Sequence, residues 1–470
     1  MLSSQETPYR VVGKNGAFYL YSGITSQIYP LTKEAIQTLD SIAYDSKKLW
    51  KYESSCSRAL PIVTHQLSRE AVRDQVHKSL KTEVHQVTLC ITERCNLGCS
   101  YCINSDNCAG TRSYSDKTMS WDVARAAIDY LLDHCSDSPV GPAVSFYGGE
   151  PLLEFDLIRR CVEYAKRFSD RIYFTITTNG TLMEKRVRRY LIDQNIGVCV
   201  SLDGPASIHD RYRRTALGRP TFQRIMSSLA LIRREAPNYF HNRVRCSTVL
   251  APPIEYCRLI DFFDDLNLHC IVSALDSYGL PSNFRSQPVR KGLDLVTRDF
   301  ERICNLHKRD PQLRVWSKFS FCLIAPAIVQ LQKRFERTDF NHLFLGQCIP
   351  GVRKIYVTPS GTMYPCEKVE GHESVRIGHV DSGIDPDLVE GLLYRFQDVI
   401  SARCEGCWMR NICNVCLADL VHGGRFNNGK LELRCAGKRA AQEDIIALYA
   451  GMIHDYPGCM DFVQEGMIWE

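Results

Sequence analysis

The sequence lacks several features that would narrow its function at once. Its 470 residues contain no apolar run long enough to span a membrane, no basic-plus-apolar signal segment at the start, and no low-complexity tract or internal repeat. The net charge of +5 is modest, and no Lys/Arg-rich recognition stretch occurs, so nucleic acid is not expected as a partner. We therefore expect a cytoplasmic protein with no membrane partner, in a compartment where disulfides are rare.

Cysteine, in contrast, is abundant, with 22 residues in the chain. The hydrophobic content of 44% is ample for a core, and the length predicts two or three domains. Cys90, Cys199, Cys246 and Cys270 fall inside predicted strands and are expected to be small buried hydrophobes. In so cysteine-rich a chain, spacing alone does not assign a metal site, and the surrounding sequence has to be considered.

Cys95, Cys99 and Cys102 stand in the string Cys-Asn-Leu-Gly-Cys-Ser-Tyr-Cys. The apolar run before them predicts a strand at 86–92, which places the three thiols on the loop that leaves it. A four-iron cluster takes four ligands, so three thiolates leave one iron open to bind and split a small molecule. A zinc loop, or scattered buried thiols, is the alternative.

A second motif, Gly148-Gly149-Glu150-Pro151, follows the next predicted strand. Paired glycines allow a ligand to approach the backbone, and a carboxylate can hold a cationic amino group. An ordinary strand-to-helix turn would give the same letters. Together the two motifs resemble the radical S-adenosylmethionine (SAM) superfamily. The resemblance implies that the open iron chelates the methionine part of SAM, that Gly148, Gly149 and Glu150 bind its amino group, and that Tyr101 packs near its adenine.

The spacing of strands and helices agrees with this resemblance. Strand-like runs recur at 86–92, 142–147, 172–178, 197–202, 243–250 and 268–274, and amphipathic segments lie between them at 119–133, 153–168, 182–193 and 221–234. Alternating strands and helices predict an α/β fold with a parallel sheet. The six units resemble the partial (β/α)6 barrel of the superfamily. Active sites of such sheets lie at the carboxyl ends of the strands, where both motifs fall.

Three further residues are assigned to SAM by the resemblance. Asn179 follows the third strand in Thr-Thr-Asn-Gly, although a turn role suits it equally. Ser201 ends the fourth strand and, with Arg213, would bind the SAM ribose and carboxylate. Arginine suits a carboxylate through its bidentate fork, but Arg211 or Arg214 could take the role instead.

A second cysteine array lies near the other end of the chain: Cys348, Cys366, Cys404, Cys407, Cys413, Cys416 and Cys435. Residues around Pro359-Ser-Gly361 predict a hairpin, and Cys366 leaves its second strand. Two CxxC pairs also occur in zinc ribbons, but the five-residue spacer is shorter than the usual separation of about 15–20 residues. The array resembles the SPASM extension of radical SAM peptide maturases. The family pattern has three residues between the last pair, whereas Asn414 and Val415 give two.

The resemblance implies two auxiliary [4Fe–4S] clusters, and therefore three clusters in all. One would be enclosed by Cys404, Cys407, Cys413 and Cys435. The other would be held by Cys348, Cys366 and Cys416, because no cysteine occurs from Ile349 to Pro365. Its fourth ligand is open: it could be a non-cysteine group, Cys459, or a thiolate of the substrate.

This vacancy leads to a hypothesis for the reaction. SAM would be cleaved to methionine and a 5′-deoxyadenosyl radical, which removes a hydrogen from an acceptor carbon of a peptide. A peptide thiolate on the open iron would join that carbon as a thioether while one electron passes to the cluster. The sequence leaves open a sulfatase-maturing, formylglycine-forming enzyme and a carbon–carbon or carbon–oxygen crosslinker. From another class, a zinc-stabilised peptide-binding adaptor also stays open.

The first 85 residues contain none of the ten candidate ligands. Three short strands are predicted there, followed by helices at 32–39, capped by Thr32, and 67–80, capped by Ser68. The order resembles a winged-helix peptide-recognition domain, which would bind the leader of a ribosomally made precursor peptide; a small docking or dimerisation domain is the alternative. We expect five parts: 1–85 for recognition, the 86–310 barrel, a bridge at 311–345, the SPASM domain at 346–436, and a helical end at 437–470. An electron donor such as flavodoxin or ferredoxin would complete the system.

Overall fold

The computed structural model describes most of the chain, namely residues 9–14, 16–23, 27–31, 63–64, 68–102, 104, 114–138, 141–275, 280, 284, 293–310, 312–313, 315–335, 339–340, 348–404, 406–422, 424–455 and 463. Residues 276–290 fall almost entirely outside the described residues, as do Cys459 and the helix predicted at 32–39. Among the helices described, none is both long enough and apolar enough to cross a bilayer.

The first part of the chain forms a small antiparallel sheet, which confirms the three predicted strands. Its strands are paired in chain order: β1 Tyr9–Lys14, β2 Ala17–Ser22 and β3 Gln27–Leu31. A two-residue strand, β4 Val63–Thr64, and the helix α1 Arg69–Thr82 follow. Ser68 caps this helix as predicted, because its hydroxyl accepts the Ala71 N–H at 3.1 Å.

The predicted β/α alternation is confirmed over the centre of the chain. Six strands pair in parallel and in sequence order: β5 Gln86–Thr92, β6 Ala143–Gly148, β7 Tyr173–Thr178, β8 Gly197–Ser201, β9 Val244–Leu250 and β10 Cys270–Ala274. The helices between them are α2 Trp121–Asp133, α3 Phe155–Ala165, α4 Lys185–Asp193, α5 Ala206–Tyr212, α6 Phe222–Glu235, α7 Pro237–Arg243 and α8 Tyr256–Leu266.

Side chains in these strands alternate between a fully buried face and a less buried face. Val198, Val200 and Val244 are fully buried against the outer helices. Their neighbours Cys199 and Arg245 point to the other side and are only partly buried. Because strand side chains alternate between faces, the inner face of the sheet is more polar than the outer one.

The sequence did not predict that the cysteine-array hairpin would extend the main sheet. Helices α9 Leu293–Arg309 and α10 Phe319–Phe335 lead through β11 Asp339–Phe340, which pairs with β4, to the hairpin β12 Ile355–Val357 and β13 Thr362–Tyr364. The predicted hairpin is confirmed, and β12 also pairs in parallel with β5, with Ile355 opposite Val87. With β14 Gly378–His379 and β15 Gly383–Ile384 the sheet has ten strands, so it crosses the boundary expected at 346.

The remaining elements carry the later cysteines and dock the first sheet. They are α11 Pro386–Cys404, α12 Leu417–Leu420, the short pair β16 Val421–His422 and β17 Arg425–Phe426, and α13 Asn428–Asp455. The Asn411 amide donates to the Gly23 carbonyl at 2.6 Å, and the ring of Tyr21 meets that of Trp408 edge-on at 5.9 Å. The small sheet therefore packs on the cysteine-rich part of the chain.

Candidate active site and cysteine clusters

Cys95, Cys99 and Cys102 lie together on the loop that leaves β5. Burial, together with the nearby Glu150, Cys99 and Cys102, raises the pKa of Cys95 to about 12. Burial also raises the pKa of Cys99 to about 11. The crowded, desolvated thiols of Cys95 and Cys99 resist ionisation unless a cation compensates them, and iron in a cluster supplies that charge. The donor set therefore fits a three-thiolate cluster site.

Gly148 and Gly149 are required by the contact between two loops. The Gly149 N–H donates to the Thr92 carbonyl at 2.8 Å, and the Glu150 N–H donates to the Arg94 carbonyl at 2.9 Å. A Cβ at Gly148 would overlap the Thr92 oxygen, and one at Gly149 would overlap the Arg94 oxygen. The glycines thus let the second loop dock on the cysteine loop; their contact with SAM stays a prediction.

Glu150 is completely buried, and protein donors hold both of its oxygens. Oε1 accepts from the Leu152 N–H at 3.1 Å and the Thr178 hydroxyl at 2.7 Å, and Oε2 accepts from the Asn179 N–H at 2.7 Å. Burial raises the pKa of Glu150 to about 7, against the lowering effect of these hydrogen bonds. The carboxylate therefore joins the carboxyl ends of β6 and β7 directly beside Cys95.

Asn179 faces the first cysteine. Its Nδ2 donates to Asn96 Oδ1 at 2.8 Å and lies 3.9 Å from the Cys95 sulfur, and its Oδ1 accepts from the Thr181 N–H at 3.0 Å. The turn role and the site role proposed from the sequence are therefore compatible. Ser201 ends β8 opposite Ser247 and is half-buried on the inner face of the sheet.

Among the three candidate arginines, Arg213 is the one whose side chain contacts the cysteine loop. Its Nε donates to Asp203 Oδ2 at 2.9 Å, its guanidinium bonds the Cys99 side chain, and it lies 5.3 Å from the centre of the Tyr101 ring. Arg211 pairs instead with Glu255 at 2.7 Å, and Arg214 is exposed with its guanidinium on the Gly218 carbonyl. The geometry therefore favours Arg213 over the two alternatives.

Two residues that sequence reasoning left without a role lie in this site. Asp203 accepts hydrogen bonds from the Tyr101 hydroxyl, from Arg213, and from the Val249 N–H at 3.0 Å. Its place in the sequence, two residues after the carboxyl end of β8, could have predicted a role in the site. The hydroxyl of Tyr114 bonds the Cys102 side chain, and together with burial this contact raises its pKa. No sequence pattern pointed to Tyr114.

Four of the later cysteines meet at one place in the fold. Cys404, Cys407, Cys413 and Cys435 line one cavity of about 300 Å³. They come from the last residue of α11, the turn after it, the end of a single 3₁₀ turn, and α13. Arg403, Arg410 and Arg439 also line the cavity together with Glu432, which pairs with Arg403, and the net positive charge suits a group bound by four thiolates. The donor set fits the enclosed cluster.

Cys416 faces away from that cavity. It caps α12, with its N–H donating to Asp419 Oδ2 at 3.0 Å, and its charge acts on both Cys348 and Cys366. Burial raises the pKa of Cys366 to about 12, and it also raises the pKa of Cys348 above its usual range. Although only two residues separate Cys413 from Cys416, the Cys413 thiol therefore lies with the cavity cysteines and the Cys416 thiol lies near Cys348 and Cys366. Within the described ranges, no three His, Cys, Asp or Glu side chains converge closely enough for a single metal ion.

Residues 89–250 match the sequence profile of the Radical SAM superfamily. A cysteine-type anaerobic sulfatase-maturating enzyme of Clostridium novyi is 28% identical over 152 residues, which cover 32% of this chain and 40% of that protein. The radical SAM cyclopropyl synthase TigE of Paramaledivibacter caminithermalis is 26% identical over 229 residues, which cover 42% of this chain and 47% of that protein. The matched stretches span less than half the length of these curated relatives.

Among solved structures, native anSMEcpe with bound AdoMet superposes with a TM-score of 0.58. The match covers 78% of this chain and 99% of that chain, at 18% identity. At this identity, the likeness shows a shared fold.

Proposed function

Because the chain carries a radical SAM domain and is therefore an enzyme, we propose that it modifies a peptide, installing thioether crosslinks in a cysteine-containing, ribosomally synthesised precursor. The observation that carries the proposal is the meeting of Cys95, Cys99 and Cys102 with Glu150, Asn179 and Arg213 at the carboxyl ends of the strands, in a chain that also carries a second cysteine array. When bound, a reduced cluster supplies the electron that splits SAM into methionine and the hydrogen-abstracting 5′-deoxyadenosyl radical.

Different residues of the barrel would contact different parts of SAM. Arg213 would present its guanidinium to the SAM carboxylate, with Asp203 fixing the direction of the fork. The ring of Tyr101, which Asp203 also holds, would pack beside the adenine. Glu150 would keep the β6 and β7 loops in register, so that their backbone faces the SAM amino group. Ser201 would meet the ribose.

The two sets of later cysteines would act in the reaction of the peptide. Cys348, Cys366 and Cys416 supply three thiols where a cluster takes four ligands, and the peptide's own cysteine would be the fourth. Cys404, Cys407, Cys413 and Cys435 would enclose the other cluster as an electron path. A flavodoxin or ferredoxin would deliver electrons. The leader peptide would add a strand to the small sheet at β3, because β1, the other outer strand, packs against α13.

A second candidate function is the maturation of a sulfatase Cys or Ser to formylglycine. It is favoured by the similarity to sulfatase-maturating enzymes over the barrel region. That chemistry needs a carboxylate base in the cavity. Asp276, which lies outside the described residues, follows β10 by two residues in the sequence, and the carboxyl ends of such strands carry the active site.

Mass spectrometry after anaerobic incubation with SAM and reductant separates the two functions. The candidate substrate is any short cysteine-containing peptide encoded beside this gene, and a sulfatase peptide is tested in parallel. Thioether formation predicts the loss of two hydrogens per crosslink and of one alkylatable thiol. A modified precursor whose thiols all remain free would overturn the thioether proposal. A peptide aldehyde that disappears in Asp276→Asn would establish the formylglycine alternative.

A further inference from the structure

His209 is a fully buried histidine that touches none of the candidate cluster ligands. Its Nδ1 lies 3.3 Å from the backbone nitrogen of Asp203, and its Nε2 lies 3.0 Å from the Thr221 hydroxyl. A backbone N–H can only donate, so Nδ1 must be the acceptor. This contact fixes the tautomer of a neutral ring, with its single hydrogen on Nε2.

The hydrogen-bond direction then continues to the arginine. Burial lowers the pKa of His209 to about 4, so the ring is neutral near pH 7 and its Nε2–H donates to the Thr221 oxygen. The Thr221 hydroxyl donates in turn to the backbone carbonyl of Arg213 at 2.9 Å. The three hydrogen bonds therefore share one donor-to-acceptor direction, from the Asp203 N–H through the His209 ring and the Thr221 hydroxyl to the Arg213 carbonyl.

The backbone that this chain holds also supports the cysteine loop. The Gly98 N–H donates to the Arg214 carbonyl at 2.8 Å, and the Ser100 N–H donates to the Tyr212 carbonyl at 3.1 Å. Arg213 lies between these two bonds, with its side chain turned to Asp203 and Cys99. A shift of the Arg213 backbone would therefore move both the guanidinium and the loop that carries Cys99.

We propose that His209 and Thr221 are positioning residues for SAM binding. They fix the backbone of Arg213, so that its guanidinium and Asp203 are set before SAM arrives. The inference rests on the proposed function, in which Arg213 binds the SAM carboxylate. Nothing in the sequence patterns assigned a role to either residue.

Thr221→Val tests the proposal, because valine keeps the shape and removes the hydroxyl. SAM binding is measured by equilibrium dialysis with iron-loaded protein. Two unpaired buried groups, His209 Nε2–H and the Arg213 carbonyl, should weaken binding about tenfold. Thr221→Ser restores the hydroxyl and should bind within about twofold of wild type. With peptide, Thr221→Val should raise the KM for SAM more than it lowers kcat.

The matched control is Thr297→Val in α9, which also removes a buried hydroxyl-to-carbonyl bond, at 3.1 Å. It should leave SAM affinity unchanged. If Thr221→Val does not fold, His209→Asn replaces it: its amide oxygen can accept from Asp203, but no donor reaches Thr221. In the Arg213→Lys background, the effect of Thr221→Val should largely disappear, because the hydroxyl acts through Arg213.

The outcomes separate this inference from the proposed function. Wild-type protein that does not bind SAM at all would overturn both. Wild-type protein that binds SAM, with Thr221→Val binding equally well, would overturn the positioning role alone. A loss in Thr221→Val that is equally large in the Arg213→Lys background would also refute it, because the effect would not pass through Arg213.

Discussion

Arg213 and Asp203 form an ion pair at 2.9 Å that is almost closed to solvent, with 11% and 3% of their side chains exposed. The same carboxylate accepts from the Tyr101 hydroxyl and the Val249 N–H. It therefore ties the cysteine loop to the ends of β8 and β9. Removing one partner of a buried pair leaves an uncompensated charge, so this contact should be important for both stability and cofactor binding.

Asp203→Asn is predicted to lower the free energy of unfolding by about 3 kcal/mol, because Arg213 loses its counter-charge in a buried site. SAM affinity should fall with it. Urea unfolding of the cluster-loaded protein measures the first effect. The control is Asp381→Asn. The pair of Asp381 with His379 is exposed, so this variant should lower the free energy of unfolding by less than about 1 kcal/mol. Equal losses of stability in the two variants would contradict the claim that the buried Asp203 pair stabilises the protein more than an exposed pair does.

Gly149→Ala is predicted to disrupt the docking of the second loop on the cysteine loop. The added methyl group would overlap the Arg94 carbonyl, and the other atoms near it are also backbone atoms, of Glu93 and Arg94. We expect a cost of about 3 kcal/mol or more, together with reduced iron in the first cluster site. Gly391→Ala in α11 is the control, because a Cβ added there would meet no atom within 4 Å. It should be neutral or stabilising by about 0.5–1 kcal/mol.

Iron and acid-labile sulfide should decrease in steps as the three cysteine sets are removed. Wild type is expected to bind roughly 12 irons per chain, and the triple alanine variant of Cys95, Cys99 and Cys102 roughly 8. The triple variant of Cys348, Cys366 and Cys416 should also bind roughly 8, while keeping SAM cleavage. Colourless protein with two zincs would instead support the peptide-binding adaptor.

The stability of the protein should depend on pH through His209. Burial lowers the pKa of this ring from 6.5 to about 4, so between these values the unfolded chain binds a proton that the folded chain does not. The stability from the neutral ring is fully present above about pH 6.5 and is lost as pH falls through about 4. Relative to His209→Gln, wild type should lose about 3 kcal/mol over that range. Parallel pH profiles of the two proteins would refute this.

Much of the central fold follows from local sequence. The strands near 86–92 and 243–250 are runs of β-branched and apolar residues, and Ser68 is an N-cap that its own neighbours specify. These signals need no information from distant parts of the chain. The same holds for the hairpin around Gly361, which has a φ of +87° suited to glycine.

The rest depends on contacts that no local pattern encodes. The pairing of β12 with β5 joins segments that are far apart in the chain, and Tyr101 reaches Asp203 across 102 residues. Glu150 was assigned to a ligand from its motif, yet its oxygens are held by Leu152, Thr178 and Asn179. Such partners are set by how the loops pack at the strand ends.

The central claim is that the cluster site on Cys95, Cys99 and Cys102 starts a radical reaction on a peptide carbon. Transfer of deuterium from a fully deuterated precursor peptide into 5′-deoxyadenosine tests it most directly. The account predicts deuterium-labelled 5′-deoxyadenosine with wild-type protein, SAM and reductant, and none with the triple alanine variant of these cysteines. Modified peptide accompanied by unlabelled 5′-deoxyadenosine, or by none, would contradict it.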